Sequence, residues 1–302
     1  MKLFLHLGWG KSGTTWLQSQ LFNQKRVFNT FDKYKLHTLV DPSWGSYDEK
    51  NVKKIFSDFI KDSGRAGLNT CISSEGIIGS LRHKPEVHET MIYRISRVYE
   101  GDKKIILFIR NHKDILSSLY IEYLESYNNI SLQKFLKKFH YQIRYLYAYS
   151  DRIRFCQNLF GSENVFVGAL EELSFAPNLL KNRLENFVGT DLDDFNAQIK
   201  PNSKPSYLAY ERTRWMTPFW IRNIHNLYQR YYIRESKKPS TFLLNKYRNS
   251  ISKDISKKDE LLFRSCLKKE IDNVHKDFFK RDTECLSEII NLDITNIWNF
   301  KK

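Results

Sequence analysis

Residues 2–7, Lys-Leu-Phe-Leu-His-Leu, form a short apolar run that stops at Gly8. A run of this length bounded by glycine reads as a buried strand. Gly8-Trp9-Gly10-Lys11-Ser12-Gly13-Thr14-Thr15 follows, and Thr14–Phe22 then sets Trp16, Leu17 and Leu21 on one helical face. A strand that passes through a glycine-rich turn straight into a helix is the first half of a βαβ unit. Such units build parallel sheets covered by helices. The rest of the chain keeps the alternation. Leu68–Ser74 is a second strand closed by Glu75-Gly76, and Pro85–Tyr99 a helix. Lys103–Ile109 is the clearest strand, with a helix over Lys113–Tyr127 after it. Leu132–Phe160 reads as one long amphipathic helix with a single break, and Asn164–Val167 as a fourth strand. Pro177–Val188 has proline at its start and Gly189 past its end, the capping asymmetry of a helix. Residues 25–67 are mixed, with turn signals at Asp41-Pro42 and Gly45 and a helix over Glu49–Asp62.

This pattern predicts the α/β class: an open, mainly parallel sheet flanked by helices, with right-handed crossovers. Past residue 205 the pattern is helical, and no linker or repeat intervenes. The expectation is one domain over 1–302, with an α/β core at 1–204 and a helical C-terminal extension at 205–302.

Charge narrows the partners. Lys and Arg number 49 against 34 Asp and Glu, a net charge of +15. The expected partner is an anion (nucleic acid, nucleotide, acidic membrane surface or acidic glycan), although a lysine-rich solvated surface gives the same count. Residues 233–258 alone carry eight Lys/Arg against Glu235 and Asp254. A solvated basic face and a surface for cofactor phosphate or acidic acceptor both fit that window. The longest unbroken apolar run near a strand pattern is Ile105–Ile109, far below the roughly 20 residues that span a bilayer. Cys71, Cys156, Cys266 and Cys285 form no CxxC pair and no Cys/His metal spacing. Reduced, mostly buried thiols in a cytoplasmic protein are the expectation.

The turn at residues 8–15 has the chemistry of a phosphate cradle. Glycines let the backbone turn tightly and aim N–H groups at an anion, and the following helix start adds partial positive charge. Lys11 adds a full charge, and Ser12, Thr14 and Thr15 add hydroxyls. It is not a Walker A loop, because Leu5 stands where that motif requires its first glycine. A second cluster follows the strand Lys103–Ile109: Arg110-Asn111-His112-Lys113-Asp114, with Ser117 and Ser118 a turn or two into the next helix. An arginine at a strand's carboxyl end enters the crevice where open α/β sheets bind ligands, and its planar fork suits phosphate.

The string His6 to Gln18, Lys-Ser-Gly-Thr-Thr included, resembles the 5′-phosphosulfate loop of sulfotransferases that use 3′-phosphoadenosine 5′-phosphosulfate (PAPS), bacterial members above all. The resemblance implies the P-loop-NTPase-like fold of that family. It also implies that Gly10, Lys11, Ser12, Gly13, Thr14 and Thr15 grip the 5′ phosphosulfate, with Lys11 acting at the bridging oxygen. In the same family an Arg-Asn-Pro-x-Asp string with a serine eight residues after the arginine binds the 3′ phosphate. Arg110 and Ser118 fit that spacing, Ser117 being the alternative, while His112 replaces the proline and reads as a surface residue at a helix start. Glu171-Glu172-Leu173 with Pro177 resembles the family's next acidic-Leu turn. The late Arg-Lys-Gly string is absent, and Arg234, Lys237 or Lys238 are the candidates to stand in for it. The family implies no metal, and adenosine 3′,5′-bisphosphate as the product.

Sulfuryl transfer needs a proton acceptor near the nucleophile. Glu75, at the end of an early strand, is the candidate general base. His83 and His88 are the alternatives, and His6 inside the first strand reads as structural. The acceptor is a hydroxyl or amine, carried by a glycan or by a small molecule. A P-loop kinase or NTPase is the rival enzyme class; it requires Mg²⁺ and usually an Asp ending a hydrophobic strand, whereas the strands here end in Ser-Ser-Glu and Arg-Asn. A nucleic-acid or glycan binder ranks last, because no nucleic-acid-binding motif is present.

Overall fold

A computed structural model describes residues 2–31, 36, 39–42, 47–81, 83–125, 130–194, 206–214 and 247–299. Its centre is a five-stranded sheet in the order β2-β3-β1-β4-β5, every neighbouring pair parallel. The strands are β1 (Leu3–Trp9), β2 (Phe28–Phe31), β3 (Asn69–Gly79), β4 (Lys103–Ile109) and β5 (Val165–Ala169). The open parallel α/β architecture is the one the alternation predicts. β1 is buried along its whole length, as a strand covered on both faces must be.

Helices among the described residues include α1 (Thr14–Trp16), α2 (Glu49–Arg65), α3 (Pro85–Arg97), α4 (His112–Glu125), α5 (Leu132–Lys138), α6 (His140–Leu146), α7 (Tyr149–Phe160), α8 (Pro177–Val188), α9 (Tyr207–Arg214), α10 (Lys257–Ile290) and α11 (Ile294–Asn299). α1 runs on as a π-turn over Leu17–Leu21, closed by Phe22 N–H donating to the Leu17 carbonyl at 2.9 Å. α8 begins at its proline and ends at left-handed Gly189. Phe4, Trp16, Leu17, Phe22, Phe108, Phe166 and Leu184 belong to one aromatic-rich core cluster.

Four expectations are corrected. β2 lies in the stretch that gave only turn and helix signals. Its Phe28 and Phe31 are buried, but Phe-Asn-Thr-Phe is too short to show an alternation. β3 does not stop at Ser74; it runs on through Glu75 to Gly79. The segment 132–160 breaks twice rather than once, at Phe139 and at Tyr147–Ala148. At the second break, tertiary donors take the carbonyls: Trp9 Nε1–H donates to Leu146 at 2.8 Å, and His112 Nε2–H to Tyr147 at 3.1 Å. The cysteines divide evenly between core and periphery. Cys71 and Cys156 are buried, the latter pushed up to about 12 by burial, whereas Cys266 is exposed and Cys285 half-buried.

The chain groups into two compact units. One comprises Met1–His112, Phe139–Ile199 and Asp277–Lys302; the other comprises Lys113–Lys138 and Lys200–Lys276. In the first, the end of β5 is held by a buried carboxylate. Glu172 accepts from Ala169 N–H at 2.7 Å and pairs with Arg183 at 2.5 Å, while Arg183 also donates to the Val167 carbonyl at 2.7 Å. In the second, Glu260 caps α9 by accepting from Tyr207 N–H and Leu208 N–H, and Arg248 is buried over the Tyr210 ring. No helix among the described residues is long and apolar enough to cross a membrane.

Glu172→Ala strands the Arg183 guanidinium and the Ala169 N–H together. Urea unfolding of that variant should show a loss of about 3 kcal/mol. Leu179→Ala, at an exposed position on α8, should stay within about 0.5 kcal/mol of the parent.

Candidate functional site

In a parallel sheet every strand delivers its carboxyl end to the same edge, so the segments after β1, β4 and β5 meet there. The turn after β1 is the tightest of them. Lys11 sits at φ 67° and Gly13 at φ 93°, two left-handed residues separated by one. For Lys11 that conformation costs roughly 1–2 kcal/mol, so the surrounding contacts must hold it. Ser12 Oγ donates to the Trp9 carbonyl at 2.8 Å, Thr14 Oγ1 donates to the same oxygen at 3.3 Å, and Arg110 donates to the Lys11 carbonyl at 3.1 Å. The hydroxyls of Ser12 and Thr14 therefore close the turn rather than point away from it. Thr15 is exposed.

Two glycines leave no room for a side chain. A Cβ on Gly13 would lie 2.5 Å from Leu170 Cδ1, and one on Gly8 would lie 2.6 Å from Thr14 Oγ1 and 3.0 Å from the His6 ring. Gly8 is thus a site residue that the motif reading quoted but did not select. Its signal was its place directly before the turn, where the strand and the returning helix pinch together.

Glu75 stands opposite the start of the turn, directly before a register shift. Gly8 pairs with Glu75, but Trp9 pairs with Gly79, so β3 advances four positions while β1 advances one. The extra residues form a bulge that begins at left-handed Gly76, and bulges of this kind re-aim side chains beside active sites. A Cβ built on Gly10 would lie 3.2 Å from Glu75 Oε1, which places the exposed carboxylate over the loop backbone.

The bulge also decides between the histidines. His88 is fully buried, its Nδ1–H donating to the Ile77 carbonyl at 3.0 Å while Nε2 accepts from Ser80 N–H at 3.2 Å. Burial lowers its pKa. Both ring nitrogens serve the bulge, so His88 is a support of the strand that carries Glu75, not a base. His83 packs edge-on against it at 5.8 Å. His6, expected to be structural, is completely buried; Nδ1 meets Ser73 Oγ at 2.8 Å, and burial pushes the ring down to about 3.

Arg110 follows β4 directly and is half-buried. Its carbonyl accepts from Tyr149 Oη at 3.0 Å, and the next N–H, that of Asn111, donates to Glu171 at 3.0 Å. The acidic Glu171-Glu172 pair is therefore divided in purpose, one residue fixing the Arg110 segment and the other the end of β5. His112 is not at the surface. It is buried and bonded to Asp282, contrary to the expectation for a helix-start residue.

Lys11, Gly10, Glu75 and Arg110 are thus brought together on one unit. Ser118 belongs to the second unit, where its hydroxyl lies 2.9 Å from that of Tyr207; Ser117 donates to the Lys113 carbonyl instead. Arg234, Lys237 and Lys238 lie outside the described residues, as does the first part of the basic window at 233–258.

No family model and no curated protein matches the chain. Solved structures similar to it include two sulfotransferases. A crystal structure of a sulfotransferase from Alicyclobacillus acidocaldarius aligns with a TM-score of 0.48 and 17% identity, over 76% of this chain and 96% of that one. A mouse sulfotransferase complexed with PAP aligns with a TM-score of 0.34 and 14% identity, over 82% of this chain and 88% of that one.

The buried, neutral His6 gives the turn a signature in acid. Below about pH 6.5 the unfolded chain takes up a proton that the folded ring refuses until about pH 3. Stability is therefore full above pH 6.5 and falls toward pH 3, by about 1.4 kcal/mol per pH unit from this group. Denaturant titrations of the parent and of His6→Gln from pH 7 to pH 4 isolate it: the difference between the two should shrink steadily as pH falls. A constant difference would refute the assignment.

Proposed function

We propose that this chain transfers the sulfuryl group of PAPS to a hydroxyl or amine of an acceptor, either a sugar-containing molecule or a small metabolite. One observation carries the reading: three chemistries converge on a single glycine-rich turn. These are a lysine held in the left-handed region, an arginine fork donating into the turn, and a carboxylate over Gly10. The fit to the nucleotide is physical. Positions 8 and 13 admit no Cβ because Thr14, His6 and Leu170 pack against their backbone, and that packing holds the shape of a turn suited to an anion. Lys11 and Arg110 supply two cations for a ligand with several acidic groups, and the Lys-Ser-Gly-Thr-Thr string adds its resemblance.

When bound, PAPS supplies the activated sulfuryl group, and adenosine 3′,5′-bisphosphate is what remains. The chain's own residues then divide the labour. Glu75 accepts the acceptor's proton as the new bond to sulfur forms. Lys11 neutralises the charge that collects on the bridging oxygen as its bond to sulfur breaks. Gly10, Ser12, Gly13, Thr14 and Thr15 hold the 5′ end, the first four through the turn that Ser12 and Thr14 close; Arg110 holds the 3′ phosphate, a role that the resemblance implies for Ser118 as well. Catalysis of this kind is positioning and electrostatics.

A base placed against an anion site carries a sign that can be measured. Glu75 repels the ligand it serves, so Glu75→Gln should lower turnover about 10²–10⁴-fold, the usual worth of a general base. The same variant should bind adenosine 3′,5′-bisphosphate as tightly as the parent or tighter. Loss of binding with turnover intact would reverse the assignment.

Calorimetry decides the ligand. Adenosine 3′,5′-bisphosphate should bind without metal, and Arg110→Ala should weaken it about 100-fold, in keeping with a charge-assisted bidentate contact. Binding of Mg-ATP in its place, indifferent to Arg110, would instead establish a phosphoryl-transfer enzyme.

A further inference from the structure

Arg110 is held from behind by residues that the transfer chemistry does not use. Tyr149 donates from Oη to the Arg110 carbonyl at 3.0 Å. Its ring stacks on His112 at 4.6 Å and meets the edge of Trp9, the last residue of β1, at 4.8 Å. His112 lies between Tyr149 and Phe279, the second ring at 4.4 Å and 16°, with Trp298 edge-on at 5.1 Å. Its Nε2–H is shared between Asp282, 2.9 Å away, and the Tyr147 carbonyl at 3.1 Å.

Asp282 fixes this cluster. Its Oδ2 accepts from His112 and from Tyr149 N–H at 3.0 Å, while Oδ1 accepts from Ser150 N–H at 3.0 Å and Ser150 Oγ at 2.6 Å. The first turn of α7 has no cap of its own from Ala148, so a carboxylate 133 residues further along caps it. Burial raises the Asp282 pKa, but the hydrogen bonds from His112 and Ser150 outweigh it and hold the carboxyl below its ordinary range. A buried charge with this many donors has one position available, and so do the rings stacked around it.

We infer that His112, Asp282 and Tyr149 are positioning residues for Arg110, setting the arginine, and through its bond to the Lys11 carbonyl the phosphate loop, in the geometry that grips the nucleotide. The inference rests on the PAPS reading. Its chain of contacts is continuous within one unit: Asp282 to Tyr149 and His112, Tyr149 to the Arg110 backbone, Arg110 to the Lys11 backbone. His112 stands where the resembling family has proline, a residue that fixes the chain by its ring. Here a buried hydrogen bond does that work, and the anchor lies on α10.

A double-mutant cycle read by calorimetry with adenosine 3′,5′-bisphosphate tests it, on variants first shown by circular dichroism to be folded at the working temperature. Asp282→Asn keeps the shape of the carboxylate and removes its charge. It should weaken binding about tenfold in the parent and less than about twofold in Arg110→Ala, because the arginine it positions is already gone. His112→Gln keeps an N–H donor and should recover most of the affinity that His112→Phe, which keeps only the stacking, loses. Equal losses in both Arg110 backgrounds, or parent-like affinity with only a lowered Tm, would reduce the cluster to a fold support and overturn the inference. If the parent binds no bisphosphate, the PAPS reading and this inference fall together. If the parent binds and Arg110→Ala does not weaken it, only the route through Arg110 is lost, and with it this inference.

Discussion

The Trp9 carbonyl and the Lys11 carbonyl are two oxygens on which the whole candidate site depends. Ser12 and Thr14 fold back onto the first, and Arg110 reaches across from β4 to the second. A left-handed lysine is not a conformation that a free chain prefers. It persists because neighbours from three strands over-determine it: β1 by leading in, β4 through Arg110, and the end of β5 through Leu170 packed against Gly13. The strain is local, and the support is spread across the sheet. That division keeps a strained turn in one shape.

Much of this was legible in the sequence, and the reasons differ by element. β4 and α8 could be read to the residue, since the burial of one is two-sided and the caps of the other are explicit, whereas β1 runs two residues past its expected end, through Gly8 and Trp9. That Arg110 and the glycine-rich turn stand together was legible because each follows directly on a strand of one parallel sheet. The position of Glu75 was legible only in part. The residue was identified, but the β1–β3 register that sets it opposite Gly8 is encoded by no local pattern. His112 misled for the same reason. A histidine at a helix start looks solvated until Asp282, 170 residues away, is brought against it. The second break in 132–160 arises from donors on Trp9 and His112, also remote in sequence.

Ser118 shows a different limit. Spacing from Arg110 was enough to select it, yet its hydroxyl meets Tyr207, a residue that no motif singled out. Arg248 makes the complementary point. Counted within a basic window, it looks like surface charge; in the structure it is buried over Tyr210 and donates to Thr213 Oγ1 at 3.1 Å. Composition registers the charge, and only packing tells which cations are spent on the fold and which face outward.

The strand order has a consequence for how the chain is made. β1 is synthesised first, wholly apolar apart from His6, and it sits third in a sheet whose other strands all come later. Its two partners are β3 and β4, which end at Gly79 and Ile109. At ribosomal speeds of roughly 5–20 residues per second, β1 waits on the order of 5–20 seconds after it is made before β4 is complete. Over that interval the most buried segment of the mature protein has an open hydrogen-bonding edge. The segment that leads into the glycine-rich turn is therefore also one that stays without its sheet partners while much of the chain is still being made.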